Sequence, residues 1–242
     1  MISVVIPTLN AERLLPATLA ALVPAAVDGI VREVIVVDGG STDRTQKVAD
    51  HAGTEFLIAE QGRGTQLSRG AAKAKFPWLL FLHADTVLQD GWERAAVDFM
   101  HRVDHSEHAP AAAAFRFKLD DKGLAPRTLE ALVRARCAVF KLPYGDQGLL
   151  ISRRLYNEVG GFRSMPIMED VDIVRRLGRN RIVILNADAT TSAERYRREG
   201  YLARSLRNHT CLALYSVGLP IATISRIYGY TKPAPELAQN LK

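Results

Sequence analysis

His83 and Asp85 stand two apart in Phe81-Leu82-His83-Ala84-Asp85-Thr86, at the end of an apolar run. If extended geometry persists to that point, both side chains face one way and can share a cation or a water. Hard divalent ions prefer carboxylate and phosphate oxygens, which makes Asp85 the stronger ligand and His83 a secondary or positioning group. Asp85 would equally cap the turn that follows, and spacing alone does not choose. Glu169-Asp170 opens a helical pattern, where the helix dipole favours acids whatever else they do. Arg195, Arg197 and Arg198 continue to Arg204 and Arg207, with Glu199 the one acid between the ends. That stretch reads as a solvated helix face, as a phosphate clamp, or, paired with the apolar residues 212–224, as a contact for an anionic membrane.

These residues need a scaffold, and the chain has the material for one. Of its 242 residues, 48% are hydrophobic and 24% charged, which excludes a disordered or fibrous chain. Thirty-two Lys and Arg against 26 Asp and Glu give a net charge of +6, suited to an anionic partner without naming it. Two distant cysteines, Cys137 and Cys211, form neither a disulfide framework nor a zinc pattern, and point to a reducing cytosol. Met1-Ile2-Ser3-Val4-Val5-Ile6-Pro7 reads as a first strand rather than a signal peptide, and no apolar stretch is long enough to span a bilayer.

Short β-branched runs alternate with helical periodicity in the first half, the pattern of βαβ units feeding a mainly parallel sheet. Strands are predicted at 2–6, 34–37, 55–59, 78–82, 111–119, 148–152 and 181–186. Helices are predicted at 11–23, from a Ser41 N-cap to about 51, from 62–64 to about 75, at 92–103, 127–140 and 201–217, with a weakly structured tail beyond. The polar, histidine-containing segment 101–108 reads as a solvated loop. A doubly wound sheet binds ligands at the carboxyl ends of its strands, so residues 8–12, 38–43, 62–64 and 83–86 should converge on the site. Neither GxGxxG after strand one nor GxxxxGK[ST] occurs, which disfavours a nicotinamide enzyme and a P-loop NTPase.

Val4-Val5-Ile6-Pro7-Thr8-Leu9-Asn10, Val36-Val37-Asp38-Gly39-Gly40-Ser41-Thr42-Asp43, Phe81-Leu82-His83-Ala84-Asp85 and Gly160-Gly161-Phe162 before Glu169-Asp170 together resemble the family 2 glycosyltransferases of GT-A fold. The resemblance covers residues 1–185. It implies that Pro7, Thr8, Leu9, Asn10, Glu12, Gly39 and Ala84 border a nucleotide sugar, that Asp38 accepts from its base, and that Asp85, with His83, holds a divalent ion on the diphosphate. It also implies that Asp170 is the general base for an acceptor hydroxyl and that Glu169 orients the acceptor, with Asp146 and Gln147 further acceptor-side candidates. Two departures stand out. His83 replaces the first acid of the usual Asp-x-Asp, and alignment on Asp85 puts Leu67 and Ser68 where an Arg-Asn pair is common. Arg63 is then the candidate for the missing phosphate-side arginine.

The expected protein is an α/β chain of GT-A type, a mainly parallel sheet flanked by helices with a helical C-terminal appendage. Residues 1–190 form the transferase domain, with a nucleotide-sugar half to about 90 and an acceptor half from 91, and 191–242 form the basic, apolar C-terminal segment. The expected reaction moves a sugar from a nucleotide-diphosphate sugar, a UDP-sugar foremost, to a small-molecule, lipid or glycan hydroxyl, with Mn²⁺ or Mg²⁺ and inversion at the anomeric carbon. A nucleic-acid partner is not expected. The cytoplasm, or the inner face of its membrane, is the expected place. The rival is an inactive nucleotide-sugar or anionic-membrane binder of the same fold.

Overall fold

Val4 and Ile6 face one side of their strand and Val5 the other, and all three are fully buried, so this strand lies inside a sheet covered on both faces. The computed structural model describes residues 1–105 and 111–230. In chain order these form β1 (Ile2–Thr8), α1 (Leu15–Ala20), α2 (Val23–Val27), β2 (Val31–Asp38), α3 (Thr45–His51), β3 (Glu55–Ile58), α4 (Arg63–Lys73), β4 (Trp78–Phe81), β5 (Thr86–Leu88) and α5 (Trp92–Asp104). There follow β6 (Ala112–Leu119), α6 (Leu124–Phe140), β7 (Leu149–Ser152), α7 (Arg153–Glu158), α8 (Glu169–Leu177), β8 (Ile182–Thr191), α9 (Glu194–Glu199), α10 (Tyr201–Ser216) and α11 (Ile221–Tyr228).

The eight strands form one sheet in the order β3-β2-β1-β4-β7-β6-β8-β5. The first half is parallel: β1 pairs with β2 and β4, and β2 with β3. Antiparallel β7 joins β4 to β6, whose other neighbour, β8, runs parallel to it. Val4 and Ile6 pack with Leu15, Leu19, Trp92 and Phe99 on one face, while Val5, Ile35 and Val37 pack with Leu67, Ala71, Leu155 and Ile173 on the other. This is the expected α/β architecture, with helices following the sheet at the C-terminal end.

Several element boundaries differ from the expected ones for local reasons. The first helix begins at Leu15 rather than Ala11, and the Ala11 and Glu12 amides ahead of it donate to the Thr45 hydroxyl and the Asp43 carboxylate; Pro24 then starts a separate α2. Ser41 does not cap α3. It donates to Asp38, and the Asp43 carboxylate accepts the Thr45 amide instead. The strand expected at 181–186 runs to Thr191 because β6 and the unforeseen β5 both pair along it. Residues 101–104 of the supposed solvated loop belong to α5, and 106–110 lie outside the described residues.

Within the expected weakly structured tail, residues 221–228 form α11, while 231–242 lie outside the described residues, and several apolar residues of 212–224 turn inward. Cys211 and Ile224 are fully buried with Ile167, Met168 and Val171, and Leu212, Leu214, Leu219 and Ile221 pack around them. The apolar half of the expected membrane contact is therefore spent on holding the C-terminal helices against α8. Among the described residues no helix is long and apolar enough to cross a membrane. Cys137 and Cys211 are buried and free.

Gly70 shows how tightly the parallel half is packed. A Cβ there would lie 2.3 Å from a Val5 methyl and 3.0 Å from one of Val37. Gly70→Ala should lose about 1–2 kcal/mol of stability through overpacking, despite the ~1 kcal/mol of helix propensity that alanine adds; urea unfolding measures the difference.

Candidate active site

The loops after β1 and β2 are laced together before any ligand arrives. Asp38 is buried, and its carboxylate accepts the Thr8 and Ser41 hydroxyls and the Gly40 and Ser41 amides at 2.5–2.9 Å. Those four bonds use the acceptor capacity of a carboxylate. A base reaching Asp38 must displace the Thr8 or Ser41 hydroxyl. Asn10, held at a positive φ of 51°, accepts the Thr42 amide while its own amide donates to Ser41 Oγ. Glu12 accepts the Arg44 amide at 2.8 Å. This turns Glu12 toward a neighbouring depression with Asp43 and Lys47 and out of the main cleft, contrary to the expectation that it borders the nucleotide.

Beneath these loops lies a residue that sequence reading missed. Gln66 on α4 is 3% exposed, and its amide donates at 2.8 Å to the carbonyls of both Thr8 and Val37, the last turns of β1 and β2. It also sits 3.2 Å from where a Gly39 Cβ would be, so Gly39 shapes the cleft floor from behind. An uncharged glutamine in a helix carries no spacing signal that would have marked it.

A cleft of about 550 Å³ opens above this floor. Pro7, Thr8, Leu9 and Asn10 line one wall, Arg63 and Gln66 the base, His83, Ala84 and Asp85 the β4 end, and Arg195, Arg198, Arg204, Arg207 and Tyr228 the opposite wall. The strand does not persist to His83: β4 ends at Phe81, and the His83 carbonyl accepts the Thr86 amide in a turn. His83 and Asp85 thus reach the cleft from a turn and not from a shared strand face. Among the described residues the Asp85 carboxylate makes only long contacts, 3.4 and 3.5 Å, to the Thr86 and Thr191 hydroxyls.

His83 joins the cleft to a second, smaller cavity lined by Tyr144, Gly145, Phe162, Glu169 and Asp170. The Gly145 amide donates to Asp170 Oδ2 at 2.7 Å. A Cβ on Gly145 would lie 2.6 Å from His83 Nε2 and 3.2 Å from Asp170 Oδ2, so glycine is what allows imidazole and carboxylate to approach. Burial, and then Arg63, hold the His83 pKa down to about 4 against the pull of Asp85 and Asp170. The ring is neutral near pH 7, as a metal ligand or hydrogen-bond acceptor must be.

Glu169 is fully buried, 2.9 Å from Arg63 Nε, yet among the described residues neither of its oxygens has an aligned hydrogen-bond donor. Burial pushes its pKa up to about 7; Arg63 opposes this and Asp170 adds to it. Arg63 is thereby committed to Glu169 rather than standing free as a phosphate arginine. Burial likewise raises Asp146 to about 6, against Arg136, and its Oδ1 has no partner among the described residues. Gln147 is not on the acceptor side. It is 1% exposed, donates to the Phe115 carbonyl at 2.8 Å, and accepts from Cys137 and Arg136, bracing α6 against β6.

The arginines divide. Arg195 faces the cleft, feels His83, and among the described residues makes no ion pair or hydrogen bond. Arg198, Arg204 and Arg207 meet on Glu199. Arg197 turns away to Asp120 and Asp121, 3.3 and 3.8 Å off, which removes it from the expected clamp. As for metal, no three His, Cys, Asp or Glu converge among the described residues. One carboxylate and one neutral imidazole at an open cleft fit a hard ion whose remaining positions are filled by phosphate oxygens and water.

The raised Glu169 pKa has a testable sign. Between about 4.5 and 7 the unfolded chain has lost this proton while the folded one keeps it, so stability falls as pH rises through that window. Glu169→Gln should remove this component, and its melting temperature plotted against pH should be flatter than wild type between those values.

The pattern of the family described as Glycosyl transferase family 2 matches residues 3–156. A PGL/p-HBAD biosynthesis glycosyltransferase of Mycobacterium tuberculosis is 38% identical over 103 residues, 37% of this chain and 37% of that protein. The glucosyl-3-phosphoglycerate synthase of the same organism is 35% identical over 95 residues, 36% of this chain and 29% of that protein. The chain thus spans well under half the length of these curated relatives. Crystal structures of that synthase share the fold: the complex with Mn²⁺ and UDP-glucose superposes with a TM-score of 0.61 at 22% identity, over 91% of this chain and 80% of that one. The complex with Mn²⁺, UDP and glucosyl-3-phosphoglycerate gives 0.60 at 24% identity, over 91% and 81%. With the family pattern spanning β1 to α7 and the GT-A fold around the cleft, the chain belongs to glycosyl transferase family 2.

Proposed function

We propose that this chain transfers the sugar of a UDP-sugar to an acceptor hydroxyl, with inversion, using Asp170 as general base. The observation that carries the reading is the pairing of two cavities through His83: a cleft with Asp85 and Arg195 on one side, and a pocket with Asp170 on the other. The related crystals that hold UDP or UDP-glucose with Mn²⁺ or Mg²⁺ support a uridine donor and a divalent ion. Residues 1–190 form the transferase domain in this reading, its donor half extending to about 90, and the segment from 191 supplies the arginine wall.

Pro7, Thr8, Leu9 and Asn10 border the nucleotide, with Asp38, Gly39 and Gln66 fixing that loop from behind. Asp85 and neutral His83 would hold the ion together with the diphosphate, and Arg195 donates to the phosphate oxygens. Bound there, the divalent ion neutralises charge on the leaving diphosphate. Asp170 is anchored through Oδ2 to the Gly145 amide, which aims the carboxylate at the acceptor side. It takes the proton of the hydroxyl that attacks the anomeric carbon, and the bond to the diphosphate breaks as the new glycosidic bond forms. Glu169, buried behind Asp170 and paired with Arg63, positions the pocket rather than touching the acceptor.

The site is half built without its donor, so ion and nucleotide should bind cooperatively. Calorimetry should show weak Mn²⁺ binding alone, with UDP strengthening it, and Asp85→Ala should erase this coupling while leaving the apo melting temperature near wild type. Asp170→Asn should retain UDP-glucose affinity and lose at least ~10²-fold in UDP release with glycerol or glycan acceptors, and proton NMR of the product should show an inverted anomeric centre. Near-normal release by Asp170→Asn would remove Asp170 from the mechanism. UDP binding with no turnover on any acceptor would make the chain a non-catalytic nucleotide-sugar binder.

A further inference from the structure

Three guanidinium groups on the C-terminal wall share a single carboxylate. Arg198 contacts Glu199 Oε1 at 3.3 Å, while Arg204 and Arg207 contact Oε2 at 3.4 and 2.6 Å. The Arg204 side chain is only 6% exposed, and among the described residues its one ion pair is long, at 3.4 Å. Its guanidinium stacks 4.6 Å from the centre of the Tyr228 ring, and both residues line the cleft. Burying a guanidinium with so little compensation is costly unless another anion completes it. Each arginine carries five N–H donors in a planar fork suited to phosphate or carboxylate, and the cluster keeps most of them.

The donor does not require these charges. A divalent ion, the Asp85 carboxylate and Arg195 together already match the charge of a diphosphate diester. The cluster adds an excess of positive charge to the same cleft. It also lies beyond residue 156, where the family pattern ends. The wall is continuous with the Asp170 pocket: Tyr228 and Arg63 line the same cleft, and Arg63 pairs with Glu169, the neighbour of Asp170.

We propose that Arg198, Arg204 and Arg207 form a second anion site that holds a phosphate or carboxylate group of the acceptor, distinct from the site of the donor diphosphate. This rests on the cleft being a nucleotide-sugar site, and the test separates the two. The full chain is first saturated with UDP and Mg²⁺, and inorganic phosphate or malonate is then titrated in at constant ionic strength by calorimetry. Saturable binding of one of these anions to the loaded protein is expected, and which one binds separates a phosphate from a carboxylate preference. Arg207→Gln, and independently the exposed Arg198→Gln, should weaken that binding at least ~10-fold, as expected for a lost charged hydrogen bond, while changing UDP affinity less than ~2-fold. No anion binding to the loaded wild type would overturn the proposal. So would equal weakening of UDP and the anion, which would make the cluster part of the donor clamp. Failure of UDP and Mg²⁺ to bind at all would instead strike the donor reading, and anion titration of the unloaded chain would still test the cluster.

Discussion

A carboxylate buried at the end of β2 must find its hydrogen bonds locally, and the way Asp38 does so governs the shape of the cleft. Thr8 reaches it from β1, and Ser41 and Gly40 from its own turn. Because Ser41 also accepts the Asn10 amide, the two loops become one unit. Asp43 then takes the Glu12 amide, and Glu12 returns a bond to the Arg44 amide. These reciprocal side-chain contacts compete with helix formation on both sides. They fix residues 7–10 as a wall of the cleft, with Gln66 closing the strand-end carbonyls underneath.

That competition explains which parts of the fold are legible in the sequence. Strands of the parallel half could be read because their β-branched residues are buried on both faces, and α5 because its apolar stripe is regular. Helix starts could not. The 3.6-residue pattern around Leu14 and Leu15 says nothing of hydroxyls on a loop thirty residues away that take the preceding amides. The C-terminal stretch misled for a related reason. Its apolar residues face Ile167, Met168 and Val171, partners some forty residues upstream, and without them the composition reads equally as a membrane face.

The site was legible at the level of type and less so at the level of role. Asp85 and Asp170 reach the two cavities that the motifs implied. Glu12, Arg197 and Gln147 carry the right chemistry but spend it on neighbours: the Arg44 amide, Asp120 and the Phe115 carbonyl. Arg63 is an intermediate case, since it lines the cleft yet answers the buried charge of Glu169. Sequence spacing places a charged group near a ligand; it does not reveal a closer internal partner, and a buried opposite charge binds more strongly than a solvated one.

His83 gains its meaning from the same accounting. The site already places Asp85, Asp146, Glu169 and Asp170 within each other's fields, and the last three include two acids whose protons are held more tightly than usual. A fifth nearby carboxylate at position 83 would stand against Asp170 across Gly145 and raise these pKa values further. An imidazole kept neutral by burial and by Arg63 supplies a lone pair without adding that charge. It thus keeps a lone pair at the β4 turn while leaving the Asp170 carboxylate, on the far side of the Gly145 amide, free of an added like charge.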